Sequence, residues 1–415
     1  MTSRIFVGLR RTRAAAMAWF FLLLVLQQPA GSYTLGTTVA DMRQAASRSG
    51  GTSCPQLTRF DVSAPGAVAL QWDTVLGNNP ATILTADQTP SGQLAEIEGV
   101  IQQAMGVWSG VSGTTLTPAT FAPLARTSLS SGCNSSDGFD TICFDQNDAA
   151  FAPGVLAFTR VVSADAIGEQ IAPGSPPSTF IGQILDADIL VRPGDSNSVF
   201  ATPAALPSYP NSYDLESILT HELGHVLGFD HSVVWSAMMF PFAPPPGQIT
   251  GVRPTPQSPD APLSDDDRTG LRELYPDSND VVHVGSIHGR ILRASPLELP
   301  VSPPGVTGIF PANVVAVDDA TGAIVAATMA GWSCADPGPP QFDGSYAFER
   351  LPVGATQSYQ IYVEPLDGAV MLGNILETTT AVCRNALSDP GWPLQFACTV
   401  PPPAAPFSAR IRPGP

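Results

Sequence analysis

The sequence predicts an α+β protein in two parts, a mixed domain built around a few amphipathic helices and then a smaller part made only of strands. Three observations carry this. Helical periodicity appears in three separated segments, near residues 93–109, 215–227 and 264–275. Between them lie short β-type runs: V-A-L-Q-W near Trp72, G-V-L-A-F-T-R-V-V at 154–162 and Q-I-L-D-A-D-I-L-V ending at Val191. From about Asp277 onward the pattern is strand-like alternation, interrupted by the turn tracts D-A-T-G and D-G, which read as hairpins.

The order along the chain begins with a leader. Arg4, Arg10, Arg11 and Arg13 form a basic start, followed by A-A-A-M-A-W-F-F-L-L-L-V-L and the small residues Ala30, Gly31 and Ser32. Residues 1–32 therefore read as a secretory signal peptide, with an apolar run too short for a comfortable membrane span. Residues 33–66 are a candidate N-terminal extension or pro-segment, 67–276 the mixed domain, and 277–415 the strand-rich domain and tail. No second long apolar run follows, so no stable membrane insertion is expected once the leader is removed.

Composition agrees with export and excludes some partners. The six cysteines form no C-x-x-C pair, and an even count in an exported chain favours disulfides. Cys133 and Cys143 bracket a short polar loop and are the favoured bridge; the other pairings stay open. With 19 basic against 36 acidic residues the net charge is −17, which disfavours nucleic acid and anionic membranes. The 42 prolines and 37 glycines point to many turns and long loops, while 44% hydrophobic residues leave enough material for real cores.

The strongest local signal is H-E-L-G-H-V-L-G-F-D-H, which holds three of the five histidines. His221 and His225 are four apart and share one face of a helix. Glu222 lies beside them, within reach of a metal-held water. Gly228 can take the left-handed conformation that ends a helix, and the turn then brings in His231. Three imidazoles leave the fourth position of a tetrahedral zinc open, the mark of a catalytic site. Leu215, Ile218, Leu219, Val226 and Leu227 give this helix an apolar stripe, and Asp214 is its predicted N-cap.

This motif resembles the metzincin metalloproteases, matching H-E-x-x-H-x-x-G-x-x-H at every fixed position. The continuation S-V-V-W-S-A-M-M-F-P resembles the matrixin (matrix metalloproteinase) branch, where the third ligand is followed by Ser and a turn of the form A-L-M-Y-P. Met238 and Phe240 depart from that pattern. Met239 then corresponds to the Met-turn residue beneath the zinc ligands. The segment L-S-D-D-D-R-T-G-L-R-E-L-Y resembles the closing helix of such domains, with Ser264 and Asp267 as a capping pair and Leu271 and Leu274 as its apolar side.

The resemblance implies a twisted, mainly parallel sheet with the active-site helix against it, and one catalytic zinc. It implies that Leu156 and Ala157 lie on the sheet edge that pairs with substrate backbone. It makes the acidic loop residues Asp137, Asp140, Asp145 and Asp148 candidate calcium ligands, although their spacing matches no EF-hand loop and the favoured reading is that they are solvated loop acids. A second, structural zinc is not expected, since only His283 and His288 remain and both lie beyond this domain. Latency in matrixins uses P-R-C-G-x-P-D; Cys54, in T-S-C-P-Q-L, does not match, so it reads either as a disulfide partner or as a divergent switch.

The C-terminal strands resemble the transthyretin-like, or carboxypeptidase regulatory-like, β-sandwich through Asp343, Gly344, Tyr346, Phe348, Leu351, Pro352 and Gly354. The expected function is a secreted zinc-dependent endopeptidase acting on extracellular proteins or peptides, with Glu222 as general base. The competing expectation is a non-catalytic secreted binding or adhesion protein on the same scaffold. Nothing in the sequence sets the oligomeric state.

Overall fold

The computed structural model describes residues 56–365 except 64–65, 75–82, 121–124, 129–132, 134–136, 145–150, 152–153, 193–198, 233, 235–236, 293–307, 309–311, 331–342 and 355–356, and also describes 407–409. Residues 1–32, read above as a signal peptide, and Cys54, Cys334, Cys383, Cys398, Asp145 and Asp148 lie outside the described residues.

Among the described residues three α-helices carry the mixed domain: α1 (Pro90–Ser109), α2 (Leu215–Val226) and α3 (Asp265–Leu274). Each starts on a residue whose side chain satisfies a free helix amide. The Thr89 hydroxyl accepts from Gly92 N–H at 3.1 Å, with Pro90 at the first helical position. The Asp214 carboxylate accepts from Ser217 N–H at 2.9 Å. Ser264 and Asp267 form the reciprocal capping box that their spacing predicts.

The strands of this domain are β1 (Gln71–Asp73), β2 (Ile83–Leu84), β3 (Ala125–Thr127), β4 (Thr141–Cys143), β5 (Ala157–Ser163), β6 (Ile184–Val191), β7 (Phe200–Ala201) and β8 (Tyr213–Asp214). Five of them form one sheet in the order β3-β1-β4-β6-β5. Every pairing in it is parallel except β5 with β6, which is antiparallel. The sheet is thus mainly parallel, with β5 as an antiparallel edge. Strands β2, β7 and β8 make a short parallel sheet beside it.

One apolar core joins the sheet to all three helices. It takes Ile97, Ile101 and Trp108 from α1, Leu215, Leu219, Leu223 and Val226 from α2, and Leu271 and Leu274 from α3, against Trp72, Ile142, Ile189 and Val191 of the sheet. Residues 57–63, assigned by sequence to the N-terminal extension, also pack here. Arg59 bridges in parallel to Gln183, Phe60 enters the core, and Phe60 N–H donates to the Tyr275 hydroxyl at 3.1 Å. Cys133 and Cys143 are bridged as expected, with a Cα–Cα distance of 6.0 Å.

Three acids meet inside the sheet. The Asp140 carboxylate accepts from Ala187 N–H at 2.8 Å, Asp186 from Gly138 N–H at 2.7 Å, and Asp188 from Thr141 N–H at 3.1 Å. Asp186 and Asp188 are fully buried, and among the described residues one oxygen of each has no hydrogen-bond partner. Burial, with repulsion from neighbouring acids including Asp137 added, raises Asp186 to about 6 and Asp188 to about 7, and pushes Asp140 well up.

Beyond α3 the elements among the described residues are strands: β9 (Val284–Arg290), β10 (Ala312–Asp318), β11 (Ile324–Ala330), β12 (Ser345–Pro352), β13 (Tyr359–Pro365) and β14 (Phe407–Ala409). They form a four-stranded sheet, β11-β10-β13-β14, and a pair, β12-β9. Val314, Ala316, Val325, Phe348, Leu351, Tyr359 and Ile361 make one core spanning both sheets. The D-A-T-G tract is the predicted hairpin between β10 and β11, closed by Gly322 N–H to Asp318 O at 2.8 Å. The D-G tract is not a hairpin. It opens β12, which pairs with β9 instead of its sequence neighbour β11, because β12 belongs to the other sheet.

Raised acid pKa values fix a sign for stability against pH. Asp188 binds its proton more tightly folded than unfolded, so its contribution is full below about pH 4 and is lost as pH rises through about 7. Thermal or urea unfolding with a chelator present should find wild type and Asp188→Asn equally stable near pH 4. By pH 8 the variant should be ahead, by at most about 4 kcal/mol. Parallel pH curves for the two proteins would contradict the assignment.

Candidate metal centre

The three motif histidines converge. One ring nitrogen from each of His221, His225 and His231 lies within 4.8 Å of the others. His225 Nε2 and His231 Nε2 are 3.2 Å apart, close to the roughly 3.3 Å between two ligands of a tetrahedral zinc bonded at about 2.05 Å. The remaining nitrogens of two rings are held by the main chain: His221 Nδ1 against Met238 O at 2.7 Å and His225 Nδ1 against Phe229 O at 2.9 Å. Those contacts fix each ring and leave Nε2 for a metal.

Electrostatics favour the ligand form. Burial lowers the pKa of all three histidines, and at His225 and His231 the neighbouring imidazoles lower it further, His225 to about 3. The rings are therefore neutral near pH 7, as metal binding requires. Glu222 is buried, and burial raises it to about 7. The donor set, its spacing and its protonation all fit one zinc ion.

Local sequence explains how the rings are delivered. His221 and His225 come from consecutive turns of α2, whose opposite side is the buried stripe Leu215, Leu219, Leu223 and Val226. The helix stops at Gly228, which has φ 99° and whose Cβ would lie 2.0 Å from Thr58 O. Phe229 then packs on Trp108, with ring centroids 4.9 Å apart, and the chain returns with His231. Trp108 Nε1–H donates to Thr220 O at 2.8 Å, tying α1 to the turn before His221.

Met239 sits beneath the site, fully buried. Its turn is held from two sides. Ser232 N–H donates to Met239 O at 2.8 Å, while Met238 N–H and Met239 N–H donate to the Asp267 carboxylate at 2.7 and 3.2 Å. Asp266, next to it, accepts from the Ser232 hydroxyl at 2.6 Å and from Ala327 N–H of β11 at 2.8 Å. Ala237 of the same turn packs with Val234 and Ala327. The first turn of α3 thus joins the third histidine's segment, the Met-turn and the C-terminal strands.

The expected substrate strand is β5, the sheet edge. Ala157 begins it, and Leu156 directly precedes it, its carbonyl taken by Arg192 N–H at 2.9 Å. Antiparallel pairing alternates, so Ala157 and Thr159 turn their main-chain groups away from β6 toward the open edge. The segment after the Met-turn is stitched to the start of α2. Arg253 makes a two-pronged ion pair with Asp214 at 2.9 and 2.6 Å, and Thr250 N–H donates to Ser217 Oγ at 3.0 Å.

Of the candidate calcium ligands, Asp140 points inward to β6. Asp137 accepts from Phe139 N–H in an exposed loop. His283 and His288 lie apart from the centre, each on an acid: Asp280 at 2.8 Å and Glu349 at 3.2 Å.

Sequence reasoning passed over three positions. Gly224 carries no side chain because a Cβ there would lie 2.2 Å from Met239 Sδ and 2.8 Å from Trp108. Asp266 reads as an ordinary first-turn acid, and Thr159 as an ordinary strand residue. Only the L-G within H-E-L-G-H hinted at the first.

Residues 78–276, just under half of the chain, match the matrixin family of peptidases. The chain is similar to metalloendoproteinase 2-MMP of Arabidopsis thaliana, 32% identical over 183 residues, 43% of this chain and 37% of that protein. It is also similar to metalloendoproteinase 1 of Glycine max, 37% identical over 65 residues, 16% of this chain and 18% of that one. The chain thus spans well under two thirds of the length of either relative. Among the described residues no helix is long and apolar enough to cross a membrane.

Gly224→Ala tests the close approach of α2 to Met239. Overpacking should cost about 1–3 kcal/mol, against roughly 1 kcal/mol that alanine gains in a helix. The expected outcome is a lower melting temperature together with weaker zinc retention under a competing chelator. A variant as stable as wild type that holds zinc equally well would show the contact to be soft.

Proposed function

We propose that this matrixin-like metalloprotease domain holds one zinc on His221, His225 and His231 and works as a secreted endopeptidase on extracellular proteins, with Glu222 as general base. The observation that carries the reading is the convergence of three neutral imidazoles beside a buried carboxylate. When bound, zinc supplies Lewis acidity to the scissile carbonyl and lowers the pKa of the water it holds to about 7.

The protein's own groups do the rest. Glu222 takes a proton from the attacking water and passes it to the leaving amine, and burial keeps its affinity for that proton high enough for both roles. The open edge of β5 receives the extended substrate, which adds as a further strand through the main chain of Ala157 and Thr159. The segment 242–262, held by Arg253 and Thr250, walls the pocket for the residue after the cleaved bond, and a bulky apolar residue is the proposed preference. Met239 supports the ligands without touching substrate.

Three further parts complete the proposal. Residues 1–32 direct export. Calcium binds at the acidic loop, supported by the gathering of Asp140 with Asp186 and Asp188. The C-terminal strands form a carboxypeptidase regulatory-like sandwich that supports folding of the catalytic domain, a role favoured by the contact of β11 with Asp266 and Ala237.

The test is digestion of a denatured protein by the purified secreted form, with and without a zinc chelator, beside Glu222→Ala. Cleavage should be chelator-sensitive, and should fall at least about a hundredfold in the variant while zinc stays bound. Near-wild-type turnover by Glu222→Ala would remove the base assignment. A zinc-loaded protein that cleaves nothing, even after its N-terminal segment is trimmed, would favour a binding role.

A further inference from the structure

Glu222 has one fixed oxygen. Thr159 Oγ1 lies 2.6 Å from Glu222 Oε2 and 3.1 Å from Glu222 O, and both residues are buried. A hydroxyl has a single proton, so it donates to one acceptor at a time. Against an ionised carboxylate it chooses Oε2, because the charge-assisted bond is shorter and stronger. Oε1 has no hydrogen-bond partner among the described residues and is the oxygen free to meet water.

Thr159 also has a place in the substrate's path. It lies on β5 opposite Ile189, at a position whose main-chain groups turn to the open edge. One residue therefore touches the base with its side chain and borders the docking edge with its backbone.

We propose that Thr159 is a positioning residue for Glu222: its hydroxyl pins Oε2 so that Oε1 faces the attacking water, and it sets the base in register with the strand that carries the substrate. This rests on the peptidase reading above. Thr159 keeps its own proton throughout. When Glu222 has taken the water's proton on Oε1, Oε2 is still an acceptor and the hydroxyl goes on donating to it, so the contact survives both states of the base.

A bond that only tied α2 to β5 would predict something different, and the variants separate the two. Thr159→Val keeps the branched shape and removes the hydroxyl. In the zinc-loaded full chain, kcat on a peptide substrate should fall roughly tenfold to a hundredfold, as misplacing a catalytic group does. KM should stay within about twofold, since ground-state docking is unchanged. Zinc content and melting temperature should match wild type. Thr159→Ser, which restores the hydroxyl, should recover most of the lost kcat, and Thr159→Ala should repeat the valine defect.

Full kcat in Thr159→Val, or a loss that serine does not relieve, would overturn the proposal. So would a rise in KM at unchanged kcat, which would limit Thr159 to docking. Failure of the wild type itself to cleave would overturn the peptidase reading, and this inference with it. Cleavage by wild type with an unimpaired Thr159→Val overturns this inference alone.

Discussion

At Gly224 the backbone of α2 comes so close to the turn beneath it that a single β-carbon would meet the Met239 sulfur at 2.2 Å and Trp108 at 2.8 Å. That approach sets the depth at which the helix lies, and with it where His221 and His225 point. The rings themselves are then fixed by carbonyls on either side: Met238 O from the turn below, Phe229 O from the chain just after the helix. A metal centre tolerates little displacement of its ligands, so the helix must be held by packing and not by the metal alone. The stripe from Leu215 to Val226 and the stacking of Phe229 on Trp108 provide that.

The turn is in its place because α3 grips it. Asp267 uses one carboxylate both to cap its own helix through Ser264 and to hold the amides of Met238 and Met239. Asp266, one residue earlier, bonds Ser232 beside the third histidine and the main chain of β11. A buried acid with both oxygens engaged across three chain segments is costly to leave half-satisfied. Burial and the adjacent Asp267 push Asp266 up to about 7. The C-terminal strands are therefore not a loosely tethered appendage at this point; they complete the hydrogen bonding of a group that also holds the segment of His231.

The Glu222 carboxylate depends on the sheet in the same way. Among the described residues, edge strand β5 pairs on only one side, with β6. Ala157 and Thr159 turn their main-chain groups to its other side, and the Thr159 hydroxyl reaches the Glu222 carboxylate on α2. Helix and edge strand are thereby linked beside the three histidines. The buried acids of β6 and the loop before β4 form a second, separate charged region in the same sheet, whose raised pKa values come from desolvation and mutual repulsion.

Much of this was legible in the chain. The helix from Leu215, its cap at Asp214, its end at Gly228, the three histidines with Glu222, the capping box at Ser264 and the Cys133–Cys143 bridge all follow from local spacing, because each is a contact between residues close in sequence. Local spacing does not say what lies across from an element. It placed Asp140 in a solvent loop, whereas the structure turns it onto β6; it made a hairpin of Asp343–Gly344, whereas β12 joins the other sheet. It gave no role to Gly224, Thr159 or Asp266, whose partners lie 15, 63 and 61 residues away. The sequence by itself determined which residues can hold a metal. The tertiary structure decided how they are held, since close packing and buried hydrogen bonds join segments whose separation along the chain carries no periodic signal.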